Sequence, residues 1–138
     1  MDIANVKKFI ADCPFLDQFA MVYVDYTDSS PVNYGIEDGG ETTIETDIAG
    51  RRTKQHNYAL FSRNYTTEDA KRIDNAQFNQ RFQRWIEEQD DIGNYPKSLA
   101  GEEVERMWAS NGVLVQYDPA TKTGLYNIQF YIIYQEEK

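Results

Sequence analysis

Cysteine occurs once in the 138 residues, at Cys13, and histidine once, at His56. A single thiol excludes an internal disulfide and any multi-cysteine zinc site, and agrees with a reducing compartment. Cys13 stands before Pro14 at a predicted helix end, where the negative end of the dipole disfavours a thiolate, so no nucleophile is read there. One imidazole makes no two-histidine metal motif, and a Ser-His-Asp array would need partners scattered elsewhere. Set between Gln55 and Asn57, His56 reads as a surface residue of a polar strand end. Leucine is scarce. No run approaches the roughly 18 apolar residues of a membrane span, and the opening residues carry Asp2, Lys7, Lys8 and Asp12 rather than a secretion signal. A soluble protein made in a cytoplasm is expected, and the Asn64-Tyr65-Thr66 sequon is read as chance. Gly39-Gly40 lacks the spacing and the following lysine of a phosphate loop. Glu87-Glu88 with Asp90-Asp91 lacks EF-hand spacing and reads as a solvated helix end. No catalytic, cofactor-binding or metal-binding residues are expected.

What the chain has in quantity is aromatic side chains: ten Tyr, seven Phe and two Trp. With leucine scarce, that favours strands over a helical bundle. The length suits one domain, residues 1–138. Net charge is −9, which opposes direct binding of nucleic acid or of an anionic membrane. Its distribution is uneven. Residues 1–50 hold ten acids and two bases, residues 51–84 three acids and eight bases, residues 85–138 ten acids and four bases, so a basic middle (+5) lies between acidic flanks of −8 and −6.

Asp2 caps a predicted short helix whose apolar face is Ile3, Val6, Phe9 and Ile10. Alternation from Gln18 to Tyr26 predicts a strand, and Asp28-Ser29-Ser30-Pro31 a turn. A short extended piece at Tyr34–Glu37 is followed by a turn or loop at Asp38-Gly39-Gly40 and a strand at Thr42–Asp47. After Ala49-Gly50-Arg51-Arg52, a strand is expected over Thr53–Ser62. Its end, Tyr58-Ala59-Leu60-Phe61, carries bulk on both faces and reads as covered twice; its start, Lys54 to Asn57, reads as projecting to solvent or a partner. A major helix is predicted from Tyr65 to Asp91, begun by Thr67-Glu68-Asp69, with a stripe of Phe78, Phe82, Trp85 and Ile86 and a possible break near Asn75. Gly93 and Pro96 stop it. Glu103–Ala109 is a mixed strand signal, Asn111-Gly112 a tight turn, Val113–Tyr117 a strand, Asp118–Gly124 a long hairpin turn and Leu125–Gln135 the clearest strand. There Tyr126, Ile128, Phe130, Ile132 and Tyr134 make the surface on which the long helix is expected to lie. The predicted fold is α+β: a mainly antiparallel sheet with an N-terminal helix and one long central helix packed on it.

A set of short motifs runs nearly the length of the chain: Val6, Phe9 and Ile10 before Cys13-Pro14; Tyr34-Gly35-Ile36-Glu37; Tyr58 to Arg63; Phe82 with Trp85-Ile86-Glu87-Glu88-Gln89; Gly93-Asn94-Tyr95-Pro96; and Tyr126-Asn127-Ile128-Gln129 with Ile133-Tyr134. In order and spacing they resemble minor capsid or tail-terminator-like proteins from the head–tail gene cluster of long-tailed phages and prophages of Gram-positive bacteria. The resemblance implies a tail-terminator-like subunit without catalytic residues. Such a subunit assembles into a ring, by analogy a hexamer, between the tail tube and the head-connector proteins of a virion. A closed ring needs two different patches that meet across the joint. Arg51, Arg52 and Lys54 are candidates for one, and Glu41 and Glu45, with Glu37, Asp38 and Asp47 or the Glu87–Asp91 cluster, for the other; alternatively these charges pair within one chain. Two other readings stand beside it. The charge fits an acidic protein-binding module or inhibitor, although the basic middle counts against a uniformly acidic surface. A chloramphenicol-resistance label carried by some members raises an acetyltransferase, but His56 is followed by Asn57-Tyr58-Ala59 and lacks that enzyme's histidine motif.

Overall fold

The structure, a computed structural model, describes residues 1–16, 22–24, 33–65, 69–110, 112–120 and 122–136. The elements in order are α1 (Ile3–Ala11), β1 (Val22–Val24), β2 (Asn33–Thr46), β3 (Arg52–Tyr65), α2 (Asp69–Ile92), β4 (Glu102–Ala109), β5 (Val113–Asp118) and β6 (Thr123–Glu136). They form one six-stranded sheet in the order β1-β2-β3-β6-β4, with β5 also on β6. Every pairing is antiparallel except the short β1–β2 edge, which is parallel. The fold is α+β with a dominant, mainly antiparallel sheet.

Both helices bury their apolar faces in one core. Asp2 caps α1, its Oδ1 accepting from the Ala4 N–H at 3.0 Å, and Val6, Phe9 and Ile10 are buried. From α2, Phe82, Trp85 and Ile86 are buried, and Phe78 packs against the same cluster. Ring centroids lie 5.1 Å apart for Phe9 and Trp85, and 6.3 Å for Phe82 and Phe130 of β6. The predicted floor is present in full, with Tyr126, Ile128, Phe130, Ile132 and Tyr134 all buried. Helix α2 runs unbroken through Asn75; an interior Asn costs well under 1 kcal/mol of propensity and forces no break. Past its end, Gly93 N–H donates to Asp90 O (3.1 Å) and Asn94 N–H to Gln89 O (2.9 Å), the paired closure of a Schellman motif.

The differences from expectation concern strand continuity. Asp38-Gly39-Gly40 is no turn, because β2 is one 14-residue strand with a bulge there. The predicted Asn111-Gly112 turn lies partly outside the described residues. Strands β4 and β5 run the same way along one side of β6, pairing with Phe130–Glu136 and Thr123–Asn127, and Ser110 N–H reaches Gln129 O at 2.7 Å between them. The β5–β6 turn shrinks to residues 119–122, since Thr123 and Gly124 pair with Asp118 and Tyr117. Tyr65 ends β3 rather than opening α2. A bulge between Val104 and Arg106 puts Val104 on the helix side with Met107, and turns Arg106 and Trp108 to the other face, where Trp108 stacks on Tyr131 at 5.1 Å. Tyr58 and Leu60 are buried, but Ala59 and Phe61 are only half-buried, so that end of β3 is covered on one face rather than two. The predicted turn at Asp28–Pro31, the Thr67-Glu68 helix start and most of the Gln18–Tyr26 strand lie outside the described residues.

Candidate functional site

Two features of the sheet stand apart from the core: an anchored hairpin arm and an exposed edge. The arm is the outer half of β2–β3. Strand β1 pairs only with Tyr34–Ile36, so beyond that point the described sheet leaves the outer side of β2 open. At the arm's base, Asp38 pairs with Tyr58 and Glu41 with His56, leaving Gly39 and Gly40 opposite Asn57 alone. Gly40 takes φ +87°, a conformation costly for any side chain with a Cβ, and its N–H donates to Asp38 Oδ1 at 2.8 Å. The extra residue matters because strand side chains alternate: three positions apart, Asp38 and Glu41 would face opposite sides, and the bulge brings both to the helix side.

His56 lies between them and is 5 % exposed, buried rather than on the surface as its polar neighbours suggest. Its Nε2 is 2.6 Å from Asp38 Oδ1 and its Nδ1 3.6 Å from Glu41 Oε2. An ionised carboxylate only accepts, so the Nε2 proton is donated to Asp38. Tyr58 stacks on the imidazole at 4.4 Å. Glu41 is the hub. Its Oε2 accepts from Tyr134 O–H, and its Oε1 from Lys54 Nζ at 3.0 Å; Lys54 also lies 3.4 Å from Glu136 Oε2. The Tyr134 hydrogen bond, followed by Lys54, holds the Glu41 carboxyl below the ordinary glutamate range. Burial first, then hydrogen bonding to Glu41, pushes the Tyr134 hydroxyl well above the ordinary tyrosine range. The Met1 amino group donates to Glu102 Oε2 (2.9 Å) and to Tyr134 Oη (3.4 Å), extending the network to β4. The segment Lys54–Asn57 is thus held between β2 and β6, not projecting.

Of the sequence-predicted interface residues, Lys54 and Glu41 meet each other, and Arg51 meets Glu103 at 3.2 Å. Arg52 and Glu45 are exposed. At the tip, Asp47 Oδ1 accepts from Arg51 N–H at 2.8 Å, Ile48 is fully exposed and Ile44 half-exposed.

The second feature is the outer edge of the β4–β5 strand. Strand β4 is stapled: Asp90 Oδ1 accepts from the Met107 N–H and from Tyr95 O–H, both at 2.9 Å, and Tyr95 O–H also approaches Glu105 O at 3.2 Å. Burial, then Asp90, raises the Tyr95 hydroxyl to about 12. Asp90 is therefore structural, and among the described residues no cluster of His, Cys, Asp and Glu is arranged to hold a metal. Strand β5 is different. Val113, Leu114, Val115 and Tyr117 are each about half exposed, an apolar edge, bulged at Val115, that no other described strand covers and of the kind that accepts another strand.

Two clefts flank α2. One, of about 320 Å³, is lined by Phe9, Trp85, Tyr95, Pro96, Lys8 and Lys97 among others. The other, of about 310 Å³, lies between Asn79, Gln83, Gly112 and Tyr126. Neither is lined by His56, whose ring nitrogens both face carboxylates of its own chain. Cys13 is buried and its thiol raised to about 11, chiefly by burial, against backbone N–H groups of Phe15 and Leu16 that pull the other way. No described helix is long and apolar enough to cross a membrane.

Sequence reasoning missed the His56 network because the carboxylates and the imidazole are not in register until the bulge is known. The signal was Asp-Gly-Gly-Glu inside a strand pattern, where paired glycines mark a bulge as readily as a turn. Scanned against models of protein families the chain matches none, and no curated protein matches it.

Proposed function

We propose that this chain is a structural subunit of the head–tail joint of a long-tailed phage or prophage, a tail-terminator or head–tail joining (minor capsid) protein. Copies assemble into a ring, by analogy a hexamer, that contacts the tail tube on one side and head-connector proteins on the other. The subunit is made in the host cytoplasm and ends in the virion. The observation that carries this reading is the β5 edge, where Val113, Leu114, Val115 and Tyr117 are exposed on a strand whose neighbour β4 has its own edge engaged by Asp90 and Tyr95. A lone globule gains nothing from such an edge and risks aggregation; an assembling subunit needs one. The motif resemblance supplies the biological setting, and the half-buried outer face with Phe61, Trp108, Tyr131 and Ile133 offers further surface for neighbours.

Deletion of the gene from its phage or prophage, followed by electron microscopy of the particles, tests the proposal. Filled heads separated from tails, or tails of uncontrolled length, are expected, with restoration by the gene supplied in trans. Normal joined particles from the deletion would refute it.

A further inference from the structure

We infer that the β5 edge of one copy receives the β2–β3 arm of the next, so that the sheets of neighbouring subunits join edge to edge. This rests on the reading of the chain as an assembling subunit and names the two surfaces that meet.

The β5 edge sets the requirements. From Val113 to Tyr117 it bears no charge, carries apolar side chains on both faces with a bulge at Val115, and holds no lysine or proline, and no described side chain staples its outer side. Asp118, at its end, is turned onto the Ala120 N–H at 2.9 Å. A strand added here must itself have a free edge and short branched or apolar side chains on both faces. Among the described residues the arm from Glu41 to Thr46 is unpaired on its outer side, and it carries Thr42, Thr43, Ile44 at a bulge, and Thr46, followed by the fully exposed Ile48.

Within one subunit the two surfaces do not meet. Strands β2 and β5 lie on opposite sides of the sheet with β3 and β6 between them. The arm pairs with β3 next to the Tyr134–Gln135 end of β6, whereas β5 pairs with Thr123–Asn127 at its other end. The contact is therefore between copies and heterologous, the type that propagates into a ring or a filament.

Charge selects this pairing over the symmetric one. Of the acids along the arm, Asp38 and Glu41 are engaged by His56 and Lys54, while Glu37, Glu45 and Asp47 are exposed, so two arms brought together would still set acid against acid. An arm on the uncharged β5 edge meets no such repulsion. The His56–Asp38 and Lys54–Glu41–Tyr134 bonds fix the arm to β6 before any partner arrives, which lowers the ordering cost of docking.

The test uses two variants of exposed positions, Val115→Glu on the edge and Ile44→Glu with Ile48→Glu on the arm, each checked for an unchanged circular dichroism spectrum. Native mass spectrometry and sedimentation of the full chain across a concentration series then read the assembly state. Wild type is expected to form multi-subunit species and each variant alone to be monomeric. Their equimolar mixture is expected to give a 1:1 heterodimer and nothing larger, because one intact arm and one intact edge remain. Dimers of the arm variant alone would overturn the inference in favour of β5 pairing with β5. Assembly of both variants like wild type would overturn it while leaving the ring proposal standing on another contact. A wild type that stays monomeric at every concentration would also overturn it, whereas the ring proposal itself is judged by the particle phenotype.

Discussion

Trp85→Ala puts the packing of both helices to the test at once. The indole is 7 % exposed, its centroid 5.1 Å from Phe9 of α1 and 6.2 Å from Phe82 one turn earlier on α2. Deleting a large buried aromatic costs about 3–5 kcal/mol, the lost transfer energy plus the space left behind. The lower part of that range is expected, because Trp85 also lines the open cleft of about 320 Å³ and water can enter the vacated volume. An unfolding entropy of about 2.1 cal/mol/K per residue gives roughly 0.29 kcal/mol/K for this chain, so a loss of about 3–4 kcal/mol lowers Tm by about 10–14 °C. Thermal melts followed by circular dichroism and urea titrations should agree on it. Trp85→Phe should recover most of the loss. A double-mutant cycle with Phe9→Ala should give a coupling of about 0.5–1.5 kcal/mol, the usual value for an aromatic pair beyond its area. A Tm within about 3 °C of wild type would refute a core built from α1, α2 and β6.

The remaining expectations concern the network and two buried groups. Because Tyr134 and Lys54 depress the Glu41 carboxyl, its contribution to stability is present above the ordinary glutamate range and is lost as pH falls through the lower folded value. Glu41→Gln should therefore be less stable than wild type at neutral pH and converge with it on acidification; parallel stability–pH profiles would contradict the assignment. Gly112→Ala would place a Cβ 2.5–2.7 Å from the Asn79 side chain and should cost about 1–3 kcal/mol. Most of that should be absent when Asn79→Ala is the background, and simple additivity in urea melts would mean the two do not touch. Cys13, with its thiol raised to about 11 by burial, should react with a thiol reagent at mildly alkaline pH only after denaturant is added, and labelling at the same rate in native protein would show an open site.

Periodicity carried the core well. Strand β6 alternates without a bulge in its own residues, and every second side chain from Tyr126 to Tyr134 is buried, so its face was legible from sequence alone. The α2 stripe at Phe78, Phe82, Trp85 and Ile86 and the Asp2 cap were legible for the same reason: spacing and chemistry agree locally. What was not legible follows from four register shifts, at Asp38/Glu41, Thr43/Glu45, Val104/Arg106 and Leu114/Gln116. Each adds a residue on one strand and reverses the inside–outside reading of all that follows. That is why Val104 and Trp108, an even number of residues apart, face opposite sides, and why Asp38 and Glu41 both reach His56, whose own burial follows the β3 alternation with Tyr58 and Leu60. The Gly39-Gly40 pair reads as a reversal because composition alone does not separate a turn from a bulge; only the pairing partner does.

Three stretches of sheet edge, on β4, β2 and β5, are treated in three ways, and the difference bears on how charge and apolar surface divide the work. The outer edge of β4 is engaged at Met107 and Glu105 by side chains of its own chain, Asp90 and Tyr95. Among the described residues the outer edge of β2 is open beyond Ile36 and bears the exposed Glu37 and Glu45, which repel a second arm without preventing contact with an uncharged strand. Of these three, among the described residues, β5 is the one that is both open and apolar. Acids cannot supply the affinity for closure, since an exposed ion pair is worth about 0–1 kcal/mol and is screened by salt. Of the three candidate bases, Lys54 and Arg51 reach Glu41, Glu136 and Glu103 of their own chain, which leaves the exposed Arg52 for a pair between subunits. Affinity then falls to strand pairing and to Ile44, Ile48, Val113 and Val115, with the acids serving to exclude the wrong arrangement. An interface built this way should hold in salt that abolishes a purely ionic one, and its specificity, rather than its strength, should weaken as salt rises.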